Sequence, residues 1–428
     1  MKLENSKGTR DFGPEEKIVR EEVISTLKTV FELYGFSPLE TPVLNRFELF
    51  ESKYSIGSEM LKETFSLKDQ GDRKLGLRFD LTVPLAKFVG MNPGLKMPFK
   101  RYEIGRAFRD GPVKTGRMRE FWQCDVDIVG AKSMLADAEI LAVVDAVFRK
   151  LGMPIVIKLS NRKLLEGILD FSSVSKEKRF DVIVAIDKLE KLGENEVIKE
   201  MGQKGIPDDV AAKIMSIINM KGANNELLIN LKNLVTSKLG AEGLEEVEDI
   251  INYCSSFGIR CVEFCPSLAR GLAYYTGPVY EVFFKDSKIT SSAAGGGRYD
   301  NMIGAFLGGG KEYPATGIAF GLEVITEALK QKQKLEKKSV TQVFVIPIKT
   351  EKQSIKIAEE LRKEGVKTEL DLMKRGISKN LSYANSLGIP FAVIIGDKEL
   401  KEKKVKLRDM KTGKEELLSV KDVVKKVK

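Results

Sequence analysis

The sequence predicts an α+β protein, in which a mainly antiparallel sheet domain is interrupted by a helical segment and followed by a smaller α/β domain. Short strand-like runs alternate with turns from Leu75 to Gly130 and again from Cys261 to Gly321. Residues 161–250 between them show charge-rich helical patterns, and strands alternate with helices beyond residue 340. At 428 residues the chain is also too long for one ordinary core.

The elements follow in chain order. Residues 15–35 place apolar side chains at helical spacing, and Gly35 ends that predicted helix. Phe36–Leu44 is punctuated by prolines and predicts an extended strand, whereas residues 134–152 return to the helical period. We therefore expect a sheet domain in two parts, with a helical insertion between them. The predicted bounds are residues 1–160 and 251–330 for the two parts and residues 161–250 for the insertion.

The last fifth of the chain predicts a separate α/β domain over residues 341–428, after a polar linker at residues 331–340. Val343–Ile348 and Phe391–Ile395 have the composition of buried strands, and Ser354–Glu364 that of a helix. This domain holds 21 Lys and Arg against 13 Asp and Glu, so it carries +8 of the net charge of +10. Such a basic domain suits a polyanion such as nucleic acid, although a merely lysine-rich surface fits the charge equally well.

Composition excludes several classes of chemistry. The chain contains no histidine, which rules out histidine-based triads, histidine metal sites and imidazole acid–base catalysis. Cys261 and Cys265 are spaced loosely like half of a metal site, but without a second pair they do not favour zinc. There is no apolar stretch of membrane-spanning length and no apolar core of a signal peptide at the N-terminus. We therefore expect a cytoplasmic protein with no membrane partner.

Arginines, tyrosines and glycines are concentrated in two neighbouring motifs, Arg270-Gly-Leu-Ala-Tyr-Tyr-Thr-Gly277 and Gly295-Gly-Gly-Arg-Tyr-Asp300. Arginine pairs with carboxylates or phosphates in a fixed fork, and glycine lets a ligand approach the main chain. Together the motifs predict a pocket for a small, polar, anionic ligand. Taken separately, the glycine run is also typical of a turn and the tyrosine pair of a core.

A second dense region lies between Arg101 and Asp127. Arg109 and Arg117 flank a loop, as two strand-borne arginines could flank a phosphate chain. Strand alternation places Gln123, Asp125 and Asp127 on one face. Solvated salt bridges are the alternative interpretation of these charges.

Upstream, Asp80 and Thr82 are two residues apart, which predicts a shared strand face able to hold an ammonium group. A surface strand with a capping threonine explains this pair equally well.

These motifs, their order and their spacing resemble histidyl-tRNA synthetase. The motifs that carry the resemblance are Lys7-Gly-Thr-Arg-Asp-Phe12, Arg78-Phe-Asp-Leu-Thr-Val-Pro84, the Arg109–Asp127 strand pair and the two glycine- and tyrosine-containing runs above. The likeness spans essentially the whole chain and is closest to the archaeal and eukaryotic branch. It implies a class II synthetase fold with an antiparallel-sheet catalytic domain, and an anticodon-binding domain at residues 341–428.

The resemblance also implies a role for each matching residue. Arg109 and Arg117 would bind the phosphates of ATP, and Arg270 would contact the α-phosphate and the substrate carboxylate. Pro42 would mark a dimer interface. The histidine-binding residues would be Asp80, Thr82 and Gln123 at the ammonium group, Asp127 and Tyr275 at the imidazole nitrogens, and Tyr274 and Tyr299 in the pocket, together with Arg270.

The implied function is ATP-dependent ligation of histidine to tRNA(His) by a homodimer that uses Mg²⁺ and holds no metal of its own. Two positions depart from the family pattern. Val324 stands where motif 3 usually has an ATP-binding arginine, and Ala273 stands where an acid is usual. The alternatives are a non-catalytic regulatory paralogue of histidine biosynthesis, which characteristically lacks the terminal domain, and a nucleic-acid-binding accessory subunit.

Overall fold

The structure, a computed structural model, describes residues 2–51, 61–113, 118–272, 274–307, 312–332 and 338–428. The chain divides into two compact units. The larger unit consists of the residues up to Arg10 together with Val23–Ala328, and the smaller unit consists of Asp11–Glu22 and Leu329–Lys428.

The larger unit is built on an eight-stranded sheet with the strand order β1-β5-β6-β11-β10-β9-β7-β8. The β1–β5 and β7–β8 pairs are parallel and the other pairs are antiparallel. Its strands are β1 (Ser37–Pro38), β5 (Phe99–Phe108), β6 (Glu120–Val129), β7 (Ile155–Asn161), β8 (Val262–Phe264), β9 (Pro278–Phe284), β10 (Ala294–Arg298) and β11 (Ala315–Gly321). A three-stranded sheet holds β2 (Leu44–Arg46), β3 (Ser66–Lys68) and β4 (Lys74–Leu77).

The remaining elements of the larger unit are helices, which include every element between β7 and β8 in the chain. Their bounds are Glu48–Glu51, Thr82–Met91, Leu135–Lys150, Arg162–Phe171, Lys176–Ile186, Leu189–Leu192, Glu194–Gln203, Asp208–Ile218, Asn224–Leu234, Lys238–Ser256 and Met302–Leu307. The helices Pro14–Leu33 and Leu322–Lys332 each have residues in both units. The predicted α+β fold class is confirmed, while the domain bounds stay predictions.

One face of the eight-stranded sheet is apolar because alternate strand residues point to it. Phe320 of β11 contacts Phe31 of the helix Pro14–Leu33 and Phe148 of the helix Leu135–Lys150, with ring centroids 5.6 and 6.0 Å apart. Phe148 also meets Phe284 of β9 edge to face. The packing of these helices leaves the opposite face of the sheet for polar side chains.

Two sequence predictions are wrong in this unit. Phe36–Leu44 does not form one extended strand, since its strand residues are confined to Ser37–Pro38 and to Leu44, the first residue of Leu44–Arg46. Asp80 and Thr82 do not share a strand face, because the helix Thr82–Met91 begins there. Pro84 falls in the first turn of that helix, where its missing N–H has no helical partner to lose.

The smaller unit contains a five-stranded sheet in the order β13-β12-β14-β15-β16, which is parallel across β13, β12 and β14 and antiparallel beyond. Both faces of β12 are buried, since Val343 and Val345 lie in one apolar cluster and Phe344 and Ile346 in another. This explains why the strand has a continuous apolar sequence. Its strands are β12 (Val343–Pro347), β13 (Thr368–Leu370), β14 (Phe391–Ile395), β15 (Val405–Asp409) and β16 (Glu415–Leu418), and its helices are Glu351–Lys363, Ile377–Ser386, Asp397–Lys401 and Val420–Val427.

Among the described residues, no helix has both the length and the apolar character needed to span a membrane.

The packing of Phe31 against the sheet predicts a large loss of stability for Phe31→Ala. The change removes a fully buried ring that contacts Tyr102 and Phe320, so we expect the free energy of unfolding to fall by about 3–5 kcal/mol. Urea unfolding followed by the fluorescence of Trp122, the only tryptophan in the chain, reports on the larger unit. Phe257→Ala is the matched control, because that ring is 43% exposed and its loss should cost about 1 kcal/mol or less. Equal losses in the two variants would contradict this packing.

Candidate active site

The second face of the eight-stranded sheet carries charged side chains in register across six strands. Residues directly opposite each other on paired strands point to the same face. One row across the face comprises Glu103, Asp125, Ala319, Gly295, Glu281 and Lys158. The next row comprises Arg101, Asp127, Gly317, Gly297, Val279 and Ser160.

Small residues in the middle of these rows make room for the charged side chains. A Cβ atom at Gly295 would clash with Nη1 of Arg270, and a Cβ atom at Gly317 would clash with Oδ1 of Asp127. Both side chains therefore lie flat over bare backbone. The glycine run predicted from the sequence lies on strand β10 and forms part of the floor of a site, not a turn.

Arg270 lies at the centre of this face. Its Nη1 is 2.5 Å from Oε1 of Glu281, and its guanidinium carbon is 5.7 Å from the ring centroid of Tyr275. Its Nε atom is buried and has no hydrogen-bond partner among the described residues. Because a buried guanidinium N–H without a partner is costly, this atom indicates where a ligand oxygen would bind.

Three tyrosines form an aromatic cluster beside Arg270. The ring centroid of Tyr274 lies 4.6 Å from that of Tyr275 and 6.3 Å from that of Tyr299. Burial raises the pKa of all three hydroxyl groups, which therefore stay protonated at neutral pH. The predicted pocket residues Tyr274, Tyr275 and Tyr299 are thus brought together as neutral hydrogen-bonding groups on flat apolar walls.

Asp127 forms the buried end of this cluster. The Tyr299 hydroxyl donates a hydrogen bond to Oδ1, and Oδ2 lies 2.9 Å from Nη2 of the fully buried Arg101. Oδ2 makes no aligned hydrogen bond to any described group. Burial raises the pKa of Asp127, and the charge of Arg101 opposes that rise. This carboxyl group is held in place and can accept one more donor.

Asp80 lies at the start of the helix Thr82–Met91. Its Oδ1 accepts hydrogen bonds from the Thr82 amide at 3.1 Å and the Val83 amide at 2.9 Å. Burial raises the pKa of Asp80, while these amides and the charge of Arg109 oppose the rise. A carboxylate at a helix N-terminus is well oriented, so Asp80 can present its other oxygen to a cation.

Arg109 directly follows strand β5. Its guanidinium carbon lies 4.2 Å from the ring centroid of Phe79 and 4.8 Å from that of Phe121. Two flanking rings hold the guanidinium in one orientation. Arg117, predicted to act with Arg109, lies outside the described residues, as does Ala273.

An open cavity of about 270 Å³ lies beside Arg109 and Arg270. Arg109, Gln123, Arg270, Glu281 and Val324 contribute to its lining. The buried amide oxygen of Gln123, like Nε of Arg270, has no hydrogen-bond partner among the described residues. Unpaired buried polar atoms around one cavity indicate a binding site for a polar ligand.

Three charged residues near the site were not predicted as site residues. Glu281 pairs with Arg270, Arg101 pairs with Asp127, and Asp187 of the helical segment packs against the backbone of Gly271. Strand alternation could have indicated Arg101 and Glu281, since each lies on the polar face of its strand. No local pattern marks Asp187.

Known protein families and individual proteins match most of this chain. A family profile described as Histidyl-tRNA synthetase matches residues 8–325, and a second, described as Anticodon binding domain, matches residues 342–428. Histidine–tRNA ligase 1 of Bacillus cereus is 47% identical to the chain over 417 residues, which is 97% of each protein. The chain belongs to the histidyl-tRNA synthetase family.

Solved structures agree with this membership. The histidyl-tRNA synthetase of a Nostoc species superposes with a TM-score of 0.88 at 30% identity, over 100% of this chain and 99% of its own. A Bacillus halodurans protein described as ATP phosphoribosyltransferase regulatory subunit/histidyl-tRNA synthetase reaches 0.75 at 19% identity, which shows a shared fold alone. The predicted family is confirmed. The likeness to the archaeal and eukaryotic branch stays a prediction, and the relatives named here are bacterial.

Burial of Asp125 on the polar face predicts a pH-dependent stability. Burial raises the pKa of this carboxyl group well above its ordinary value of 3.8, although the charge of Arg101 opposes the rise. The ordinary pKa applies to the unfolded chain and the raised pKa to the folded chain. Between these two values the folded chain binds more protons than the unfolded chain, so the stability of the protein falls as the pH rises. Asp125→Asn should remove this loss of stability. Its free energy of unfolding should therefore rise relative to that of wild type by up to about 1.4 kcal/mol for each pH unit between the two pKa values. Urea unfolding between pH 4 and about 8 measures the difference.

Asp69→Asn is the control for that experiment. Hydrogen bonds, first of all from the Arg73 amide, lower the pKa of Asp69, so its stabilising contribution is present at neutral pH and is lost on acidification. This variant should be less stable than wild type at neutral pH, and the difference should shrink as the pH falls. A similar pH dependence in the two variants would contradict the proposed burial effect.

Proposed function

We propose that this chain ligates histidine to tRNA(His) in two steps, through a histidyl-adenylate. Family membership supports this proposal. The observation that carries it is the pair of unpaired buried polar atoms, Nε of Arg270 and Oε1 of Gln123, around a cavity that Arg109 and Glu281 also line. The tyrosine cluster lies beside Arg270. Such a cavity suits a zwitterionic amino acid beside a phosphate chain.

In the first step the histidine carboxylate attacks the α-phosphorus of ATP. A P–O bond forms, the bond to the β-phosphate breaks, and pyrophosphate leaves with the electron pair. The attacking carboxylate is already ionised at neutral pH, so the step needs placement and charge neutralisation, not a general base. Arg270 would hold the carboxylate and the α-phosphate through Nε, while Glu281 fixes its other end.

Three residues would hold the ammonium group of histidine. Asp80 supplies a carboxylate oriented by two amides, Thr82 lies at the same helix start, and Gln123 supplies an unpaired oxygen. A cationic ammonium group pairs with such oxygens as a charge-assisted donor. This arrangement would orient the substrate carboxylate towards Arg270.

The imidazole ring would lie between Asp127 and Tyr275, walled by Tyr274 and Tyr299. Oδ2 of Asp127 can accept from one ring nitrogen and the Tyr275 hydroxyl can donate to the other. A pocket that hydrogen-bonds both nitrogens leaves its own buried groups unpaired when an apolar side chain enters. Rejection of such competitors can reach roughly 10⁴-fold.

ATP would bind through Arg109 and Arg117, and Mg²⁺ would accompany the nucleotide. Arg109 is held between two aromatic rings at the cavity. Across the described ranges of the chain, no group of three or more acidic or cysteine side chains could hold a metal ion. In this proposal Mg²⁺ enters with the nucleotide as part of the substrate.

In the second step a hydroxyl of the terminal tRNA ribose attacks the histidyl carbonyl. An ester bond forms, the acyl–phosphate bond breaks and AMP leaves. Residues 341–428, with their net charge of +8, would bind the anticodon region of tRNA(His). A cytoplasmic homodimer with Pro42 at its interface completes the proposal.

Val324 favours a second candidate, a non-catalytic regulatory paralogue. It lines the cavity where the family pattern has an arginine for ATP, and a charge-assisted bond of that kind contributes about 1.5–3 kcal/mol. Against this candidate, the chain has the domain that such paralogues characteristically lack. Histidine-dependent ATP–pyrophosphate exchange separates the two, because a folded chain without exchange would refute the ligase.

Arg270→Ala tests the assigned chemistry. If the guanidinium neutralises charge that develops on the α-phosphate, exchange should fall about 100-fold or more, with a much smaller loss of histidine affinity. Pyrophosphate exchange and equilibrium histidine binding measure the two effects. Arg260→Ala, which removes an exposed arginine outside the cavity lining, should leave both unchanged. An equal loss of exchange and binding would contradict the role given to Arg270.

Gly295→Ala tests the geometry without removing a charge. The new methyl group would clash with Nη1 of Arg270, so the guanidinium must move. Displacement of a catalytic group by about 1 Å can cost 100-fold, and we expect kcat for exchange to fall at least 10-fold. Gly94→Ala is the matched control, since a Cβ atom there has no neighbour within 4 Å. Wild-type kcat in Gly295→Ala would mean that Arg270 does not act from this position.

A further inference from the structure

The helical segment between β7 and β8 contacts the loop that carries Arg270. The contact is made by Asp187, which directly follows the helix Lys176–Ile186. The Gly271 amide lies close enough to the Asp187 carboxyl group to lower its pKa. A Cβ atom at position 271 would come within 3.0 Å of Oδ2 of Asp187, so a glycine at this position permits the close approach.

The charge of Arg270 also reaches the exposed Asp187 carboxyl group. Atoms packed around this carboxyl group raise the pKa of Asp187, and the charge of Arg270 is the largest influence opposing that rise. Arg270 therefore has one carboxyl group in direct contact, Glu281 from the sheet, and the charge of a second, Asp187 from the helical segment, acts on it from farther away. Glu281 of the sheet contacts one end of the guanidinium. Asp187 contacts the backbone of Gly271, the residue after Arg270.

A second contact joins the turn from Asp187 to Glu190 to the sheet. Glu190 forms an ion pair with Lys158, which stands opposite Glu281 on the polar face. Within the turn, Nζ of Lys188 lies 2.5 Å from Oε1 of Glu200 in the helix Glu194–Gln203. The turn from Asp187 to Glu190 is thus bound on one side to the helical segment and on the other side to the site.

We infer that Asp187 is a positioning residue for Arg270, so that the helical segment takes part in the activation of histidine. This inference rests on the proposed function. Arg270 has Gly271 after it in an irregular loop, and glycine restricts its own backbone least of all residues. The close approach of Asp187 to this backbone limits where the guanidinium can lie. Without it, Arg270 would spend less time with Nε directed into the cavity.

Asp187→Ala and Asp187→Asn test this role through a kinetic split. Loss of positioning should lower kcat for pyrophosphate exchange about 10-fold or more in Asp187→Ala, while KM for histidine changes less than about threefold. Asn keeps an acceptor for the Gly271 amide, so Asp187→Asn should recover most of the lost kcat. Asp181→Ala is the matched control, because Asp181 lies on the same helical segment and pairs with Lys204 at the surface. It should leave kcat unchanged.

A coupling experiment separates positioning from a general loss of structure. Arg270→Lys keeps a charge but loses Nε and the fork geometry, so Asp187→Ala should cost much less in that background than in wild type. Equal costs in the two backgrounds would overturn the inference, as would wild-type kcat in Asp187→Ala. Absence of exchange in the wild-type chain would refute the proposed function and this inference with it. Normal wild-type exchange with an unaffected Asp187→Ala would refute the inference alone.

Discussion

The burial of charge on one face of a β-sheet is the constraint on which the candidate site depends. A charged group removed from water needs a partner of opposite sign or a hydrogen-bonding ligand. Arg101 has Asp127, and Arg270 has Glu281. These side chains fit over the sheet because Gly317 and Gly295 lie beneath them. The glycine run therefore serves the electrostatics of the site as well as the path of the backbone.

This constraint explains how a chain without histidine can carry out amino-acid activation. Burial keeps the three tyrosines of the site neutral, and the guanidinium groups of Arg270 and Arg109 are held by a carboxylate and by aromatic rings. Such groups do not have to gain or lose a proton during the proposed reaction, because the nucleophile is already ionised. Stabilisation by charges that are fixed in advance costs no reorganisation when the transition state forms. The apolar face, packed by Phe31 and Phe148, keeps these charges in register.

Local sequence patterns predict the parts of this site that lie within single strands. Alternation places Asp125 and Asp127 on one face, and the sheet register agrees. The prediction of a strand at Asp80 is wrong because a two-residue spacing fits both a strand and the start of a helix. Asp187 lies 83 positions before Arg270, and only the folded chain shows that the two are close. The roles of Arg117 and the domain bounds stay predictions.

The departure at position 324 removes one arginine from nucleotide binding in the proposed ligase, so other groups have to neutralise the charge of the nucleotide. Val324 presents an apolar wall to the cavity, and the carboxylate of the neighbouring Glu323 lies 3.2 Å from the amide of Trp122. Neither can bind a phosphate. Arg109 differs, since two aromatic rings already restrict its guanidinium and less rotamer freedom is lost on binding. The pre-orientation of Arg109 can offset part of the loss of ATP affinity caused by the absence of an arginine at position 324.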